Sequence, residues 1–239
     1  MSELKVIPVP IWPLGMINAY LVAGGDKYIL VDSGIPNSED RIGKTLKRHG
    51  LAFNDIGLIV ITHAHGDHAG SAHAVQKLSG APILAHEAEL AYFQQDKPMA
   101  YCPTGLFGKL FLKTGRPTRP YEAFTPEILV KDKEDYDLSE YGVHGTVVAT
   151  PGHTEGSLSV TLSNRDVLAS DLVTTGILLG GIALKGRIKP PPFEDDAQMV
   201  ARELKSLIDM GMETFYLGHG GPLSAHQVRG YCDRILRTP

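Results

Sequence analysis

Apolar runs of strand length dominate the first third of the chain. Residues 4–11, 19–23 and 28–32 read as strands, the last two separated by Gly24-Gly25-Asp26, a hairpin signal. The third run, Tyr28-Ile29-Leu30-Val31, ends at Asp32-Ser33-Gly34. From about Ser38 to His49 the pattern turns helical: Ile42 and Leu46 share a face, Glu39 and Asp40 sit at the positive end, and Gly50 stops it. Gly57-Leu58-Ile59-Val60-Ile61-Thr62 is almost continuously apolar, which predicts a strand covered on both faces.

A helix is expected from about Ala69 to Leu78, closed by Gly80, then a short strand from Pro82 to Ala85 and a helix from His86 to Gln94. Residues 95–125, rich in Pro, Gly and aromatics, show no regular period. Strands resume near 127–131, 143–149, 157–162 and 166–170, followed by a Gly-rich loop at 174–186 and Pro190-Pro191-Pro192. A helix near 195–210, a strand at 214–217 and a helix near 225–236 finish the pattern. The segment from Gly25 to Ser33 echoes that from Asn164 to Asp171: a turn, an apolar strand, then an aspartate. That echo predicts two layered halves meeting near Asp32 and Asp171.

Composition narrows the class. A chain of 239 residues with 43% hydrophobic and 21% charged residues is globular and not disordered, and the expectation is a single domain over 1–239. A net charge of −4 argues against a nucleic-acid binder, whose footprint is usually strongly basic. Cys102 and Cys232 form no C-x-x-C pair and no disulfide framework, which points to a reducing compartment. Prolines interrupt the first 15 residues too early for a signal-peptide core, and no apolar run approaches the ~20 residues that span a bilayer. The expectation is a cytoplasmic protein acting on a small molecule, with neither nucleic acid nor membrane as partner.

Candidate chemistry concentrates in His63-Ala64-His65-Gly66-Asp67-His68, directly after the apolar strand. In an extended segment His63 and His65 point the same way and reach one ion. Gly66 allows a change of direction that aims Asp67 and His68 at a second, and the following helix turns its positive end toward the site. Chance placement gives such a pattern in about one chain per thousand, and a polar helix-capping loop would need only one or two of these residues. Further donors stand at strand ends: His153 in Thr150-Pro151-Gly152-His153-Thr154, Asp171 after 166–170, and His219 in Leu217-Gly218-His219-Gly220.

Asp32, THAHGDHAG at 62–70, TPGHTEGS at 150–157, Ser170-Asp171 and Leu217-Gly218-His219-Gly220, in that order, resemble the metallo-β-lactamase superfamily over nearly the whole chain. The resemblance implies an α/β fold, a four-layer αββα sandwich with the site along one edge. It implies that His63, His65 and His153 hold one metal, that Asp67, His68 and His219 hold another, and that Asp171 bridges them. Asp32 would support the ligands from behind. Ser170 stands where the family usually has glycine. His49, His73, His86, His144 and His226 match no ligand position and read as surface or capping residues.

Two zinc ions per chain are the cofactor so implied, with iron or manganese as the other candidates. They would lower the pKa of a bridging water from 15.7 toward ~7, and Asp67 is the catalytic candidate that orients this water and shuttles its proton. The implied reaction is hydrolysis of an ester, thioester or lactone. Two alternatives are a β-lactam amidase and a mononuclear non-haem iron enzyme resembling the persulfide dioxygenases. Thr174 replaces the tyrosine that acyl-homoserine lactonases carry three residues beyond the bridging aspartate. The chain ends about 20 residues after His219, without the helical extension of glyoxalase II. Residues 95–125 are a candidate lid, with Tyr101, Phe107 and Phe111 as apolar contacts. The loop after Asp171, with Gly176, Gly180 and Gly181, reads as mobile, and Lys185, Arg187 and Lys189 as a grip for a substrate anion.

Overall fold

In the computed structural model, which describes residues 4–132, 134–177 and 183–237, two six-stranded sheets stack face to face. The first contains β1 (Lys5–Trp12), β2 (Ile17–Ala23), β3 (Tyr28–Val31), β4 (Ile56–Val60), β5 (Ile83–His86) and β6 (Ile128–Val130) in that spatial order. Between β3 and β4 runs α1 (Glu39–Arg48), and between β4 and β5 runs α2 (Ala72–Ser79). The short α3 (Leu90–Phe93) and α4 (Gly105–Lys113) lie between β5 and β6. The second half adds β7 (Tyr136–Asp137), β8 (Gly145–Ala149), β9 (Leu158–Leu162), β10 (Asp166–Ser170), β11 (Thr174–Thr175), β12 (Ile188–Lys189), α5 (Ala197–Asp209), β13 (Thr214–Leu217), β14 (Leu223–Ser224) and α6 (Ala225–Leu236). Its sheet runs β14-β13-β10-β9-β8-β7, while β11 and β12 pair separately.

Three apolar layers separate four structural layers. Val22, Ile29, Val31, Leu58 and Val60 of the first sheet meet Val147, Val160, Leu162 and Leu168 of the second. On the outer face of the first sheet, Val9, Leu21, Leu30 and Ile59 pack on Ile42 and Leu46 of α1 and Val75 of α2. Val167, Ala169 and Phe215 pack on Val200 and Leu204 of α5 and Val228 of α6. This is the expected αββα sandwich. β4 explains its unbroken apolar run: Leu58 and Val60 face one core and Ile59 the other. Each such side chain, fully buried, contributes roughly 1.5–3 kcal/mol.

β3, β4, β5 and β6 are parallel, as are β10 and β13, so their carboxyl ends gather at one edge, where open α/β sheets bind ligands. Backbone hydrogen bonds sew the halves together there. Leu158 N–H donates to Thr62 O at 2.9 Å, and Asn18 N–H to Gly218 O at 2.9 Å. The two strand ends of the sequence echo also meet, with Ser170 Oγ donating to Asp32 Oδ2 at 3.3 Å.

Several expected boundaries differ. α2 starts at Ala72 and not near Ala69, because the His68 carbonyl is taken by Ser33 N–H and Ser33 Oγ–H, both at 2.7 Å. The expected helix over 86–94 is a 3₁₀ turn at Glu87–Glu89 followed by one turn of α3. Residues 95–125 contain a true helix, α4, that the sequence pattern did not reveal. Gly180 and Gly181, in the loop read as mobile, lie outside the described residues. Among the described residues no helix is long and apolar enough to cross a membrane. Cys102 is exposed, Cys232 buried, and both are free thiols.

Candidate metal centre

All seven candidate donors converge at the edge where the strands end. His63 Nε2 lies 3.0 Å from His65 Nδ1 and 3.2 Å from His153 Nε2, and His153 Nε2 lies 3.1 Å from His65 Nδ1. Asp67, His68 and His219 form a second group, with His219 Nε2 3.3 Å from Asp67 Oδ2. Asp171 stands between them. Its Oδ2 is 3.1 Å from His219 Nε2 and 3.9 Å from His153 Nε2, and its Oδ1 is 3.5 Å from His68 Nε2.

The polypeptide behind these donors fixes which nitrogen faces the site. His68 Nδ1–H donates to Asp32 Oδ2 at 2.7 Å, leaving Nε2 toward Asp171. Thr62 Oγ1–H donates to the Asp32 carboxylate at 2.9–3.0 Å and so accepts from His63 Nδ1–H at 3.0 Å. His219 Nδ1–H donates to the Met16 carbonyl. Asp32 therefore orients ligands of both groups, the job that such outer partners perform around metals. It holds a left-handed φ of +63°, as does Ser170 at +44°. For non-glycine residues such backbone stores strain of order 1–3 kcal/mol and clusters at functional sites.

The change of direction at Gly66 is made without left-handed backbone. Gly66 is absent from the positive-φ residues, and a Cβ there would meet nothing closer than 3.6 Å. The strict glycine is Gly218, where a Cβ would sit 2.2 Å from Asp171 Oδ1 and 2.6 Å from His68 Cε1. Among the remaining histidines, His49, His144 and His226 are exposed, and His73 is paired with Glu122 at 3.3 Å. His86 caps the turn after β5 through Ala88 N–H, as a capping residue should, but it is buried.

Glu89 carries no motif that would single it out in the sequence. It is buried, and its carboxylate accepts from Ala64 N–H, between His63 and His65, and from Thr154 Oγ–H and Gly156 N–H beside His153. It straps together the two loops that carry the three-histidine group. Burial pushes its carboxyl up to about 7 against the pull of these donors. Asn18 and Tyr20, equally unsignalled, hold the His219 loop through the Leu217 carbonyl at 3.1 and 2.7 Å.

Charge divides the site in two. Burial and the surrounding imidazoles keep His63 well below the ordinary imidazole range, burial and His153 bring His65 down to about 3, and burial lowers His153. Those three stand as neutral donors. Burial opposes charge on His68 and His219 too, but Asp171 and Asp32 raise His68 well above its usual range, and Asp171 with Asp67 lifts His219 to about 10. These imidazolium groups in turn hold Asp171 and Asp67 well below the carboxylate range despite burial.

Metal-free protein should therefore be most stable near pH 6.5. As pH falls below that, the unfolded chain protonates its His63, His65 and His153 while the folded state resists, so stability is lost. As pH rises from 6.5 toward 10, the folded state still holds the His219 and His68 protons that the unfolded chain has released, and stability is lost again. Thermal melts of chelator-treated protein from pH 4 to 10 should give a peaked profile that metal broadens. A profile unchanged by metal would contradict this division.

Do the donors fit a metal? Tetrahedral zinc with ligands at about 2.0–2.1 Å separates neighbouring nitrogens by about 3.3 Å, close to the observed three-histidine triangle. His68 Nε2 and Asp171 Oδ1 are buried without hydrogen-bond partners, atoms a cation would satisfy. The donor set fits.

The protein-family model described as metallo-beta-lactamase superfamily matches residues 12–219. The chain belongs to that superfamily. Probable metallo-hydrolase YflN of Bacillus subtilis is 28% identical, covering 84% of this chain and 78% of its own length. The uncharacterized protein YobT of Bacillus subtilis is 30% identical, covering 85% and 83%. Metallo-beta-lactamase family protein TTHA1429 from Thermus thermophilus shares the fold, with a TM-score of 0.67 at 24% identity over 99% of this chain and 79% of that one.

This metallo-beta-lactamase superfamily member carries an aromatic ladder beside its histidines. Tyr101 stacks on His65 at 4.7 Å and meets Phe193 edge-on at 4.9 Å. Phe193 packs on Phe111 at 6.0 Å, and Phe111 on Phe107 at 5.7 Å. Phe107 is exposed, as are Leu106 and Leu110 of α4. The ladder thus runs from solvent to the donor cluster.

Proposed function

We propose that this metal-dependent hydrolase binds two zinc ions and cleaves an ester, thioester or lactone of a small molecule whose acyl part is apolar. The observation that carries the reading is the convergence of seven donors in two groups sharing Asp171, beside the aromatic ladder. His63, His65 and His153 would hold one ion, Asp67, His68 and His219 the other, and Asp171 both. A full second group favours two ions over a mononuclear iron centre. Bound, such ions polarise a carbonyl oxygen and make hydroxide available at neutral pH.

The chain's own residues position the reaction. Asp67 is the most solvent-exposed of the seven, with 31% of its side chain open, and it stays ionised. Its free carboxylate oxygen accepts a hydrogen bond from the attacking water and passes the proton toward solvent. Tyr101, held by its hydroxyl to the Pro117 carbonyl, walls off one side of His65 and excludes bulk water. Phe111 and Phe107 offer an apolar track for the acyl group.

A screen of chromogenic thioesters, lactones, aryl esters and cephalosporins on zinc-loaded protein tests the reading. Esters or thioesters with long or aromatic acyl groups should outperform acetyl analogues. Phe111→Ala should raise KM about tenfold for the former, the loss of roughly 1.4 kcal/mol of apolar contact, and leave acetyl esters unchanged. Equal effects on both would contradict the acyl track, and turnover of cephalosporins alone would contradict the ester assignment.

A further inference from the structure

α4 turns an apolar face to solvent. Leu106, Leu110 and Phe107 are 74%, 54% and 41% exposed. At about 100° per residue they fall within roughly 100° of arc, with Lys113 and Lys109 directly beside them. The opposite side of the helix is fixed to the body. A Cβ at Gly108 would meet the Pro192 carbonyl oxygen at 2.2 Å, Thr104 N–H donates to that carbonyl at 2.8 Å, and Glu194 N–H donates to the Cys102 carbonyl at 2.9 Å. Rotating the helix to bury its leucines would break these contacts. A contiguous exposed apolar patch of this kind marks an interaction site.

Charge around the face says what covers it. Lys97, Lys109, Lys113, Arg116 and Arg119 lie in residues 97–121, which contain no aspartate or glutamate, in a chain whose net charge is −4. The last four are exposed, and among the described residues the ion pairs of lysine and arginine involve Lys77, Arg165 and Arg229 instead. A second copy of the chain is a poor cover, because a two-fold contact through α4 would set these cations against their own copies. An anionic lipid surface meets both needs, with acyl chains for the leucines and phosphates for the lysines.

We infer that α4 docks this protein on an anionic lipid bilayer, lying flat with Leu106, Leu110 and Phe107 among the acyl chains and Lys109 and Lys113 at the headgroups. The lysine stems run along the apolar face while their ammonium groups stay at the phosphates. The expectation of no membrane partner rested on the absence of a spanning run, and a helix lying in the interface needs none. Docked this way, the protein turns Phe107, the outer end of the aromatic ladder, to the acyl chains, in line with Phe111, Phe193, Tyr101 and His65. Binding itself does not depend on which bond the metal site cleaves.

Co-sedimentation of the metal-loaded protein with lipid vesicles tests it. Vesicles of phosphatidylcholine with about 30% phosphatidylglycerol should bind about tenfold more tightly than phosphatidylcholine alone, and about 0.5 M salt should remove the difference. Leu106→Ser with Leu110→Ser should weaken binding to the anionic vesicles about tenfold, as should Lys109→Glu with Lys113→Glu. Both pairs should melt with the parent, because the replaced side chains are exposed. Leu110→Trp adds a reporter whose emission should shift to the blue and be quenched by lipids brominated in their acyl chains, beyond the response of Trp12 in the parent. No binding to anionic vesicles, equal binding to neutral ones, undiminished binding by the folded serine variant, or an unquenched Leu110→Trp reporter would each overturn the assignment. A parental dimer in gel filtration that the serine variant dissociates, without vesicle binding, would give the face to a second copy instead. Because the donor cluster is intact in every variant, failure here is separate from failure of the hydrolase reading.

Discussion

His63→Ala is expected to lose at least one metal ion per chain and to lower kcat/KM at least about a thousandfold, or ~4 kcal/mol of transition-state stabilisation. His63 closes the triangle with His65 and His153 and also lies in a close cluster with His68 and Asp171, so it touches both groups. No neighbouring side chain can move into its place, because Thr62 and Asp32 behind it are committed to hydrogen bonds with the two groups. The metal-free variant should keep its circular dichroism spectrum, since His63 belongs to none of the three apolar cores. Metal analysis after gel filtration, beside steady-state kinetics, checks both statements. Parental metal content would show that His63 is not a ligand.

Asp32→Ala should produce the largest loss of stability. Asp32 accepts from His68, from the Thr62 amide and hydroxyl, and from Ser170, all in the protein interior. Deleting one partner of a buried ion pair typically costs about 3–5 kcal/mol. For a chain of this length that corresponds to a fall of about 10 °C in the melting temperature of the metal-free protein. Zinc affinity should drop at both groups, because both His63 and His68 lose their orientation. Differential scanning calorimetry with and without zinc separates the two effects. A melting temperature within 2 °C of the parent would show that the hub carries no weight.

The parts of the site that were readable in the sequence share a physical cause. A metal needs several donor side chains, and short segments that follow buried strands bring them together, so His63 to His68 stand out against only ten histidines. His153, Asp171 and His219 were legible because each follows an apolar run and glycine or proline flanks two of them. Strands β3, β4 and β10 were legible because both faces are largely buried, which leaves nearly uninterrupted apolar residues, and β13 because Phe215 and Leu217 bury one face.

What stayed hidden depends on tertiary contact. α4 was obscured by Gly105 and Gly108, which read as loop residues. At Gly108 a Cβ would meet the Pro192 carbonyl oxygen at 2.2 Å, so glycine there serves packing between helix and Pro-rich segment, not flexibility. Glu89 looked like any acid on a polar face, and only the fold turns it inward between the two ligand loops. β7, β11, β12 and β14 are two residues each, shorter than any periodicity can resolve.

The proposed function rests on five imidazoles and two carboxylates holding two ions between them. Anomalous diffraction at the zinc absorption edge, from crystals of zinc-loaded protein, measures this directly. Two peaks per chain about 3.5–4 Å apart are predicted, one within the triangle of His63, His65 and His153, the other among Asp67, His68 and His219, with Asp171 between them. A single peak, or density that leaves His153 or His219 unligated, would contradict it.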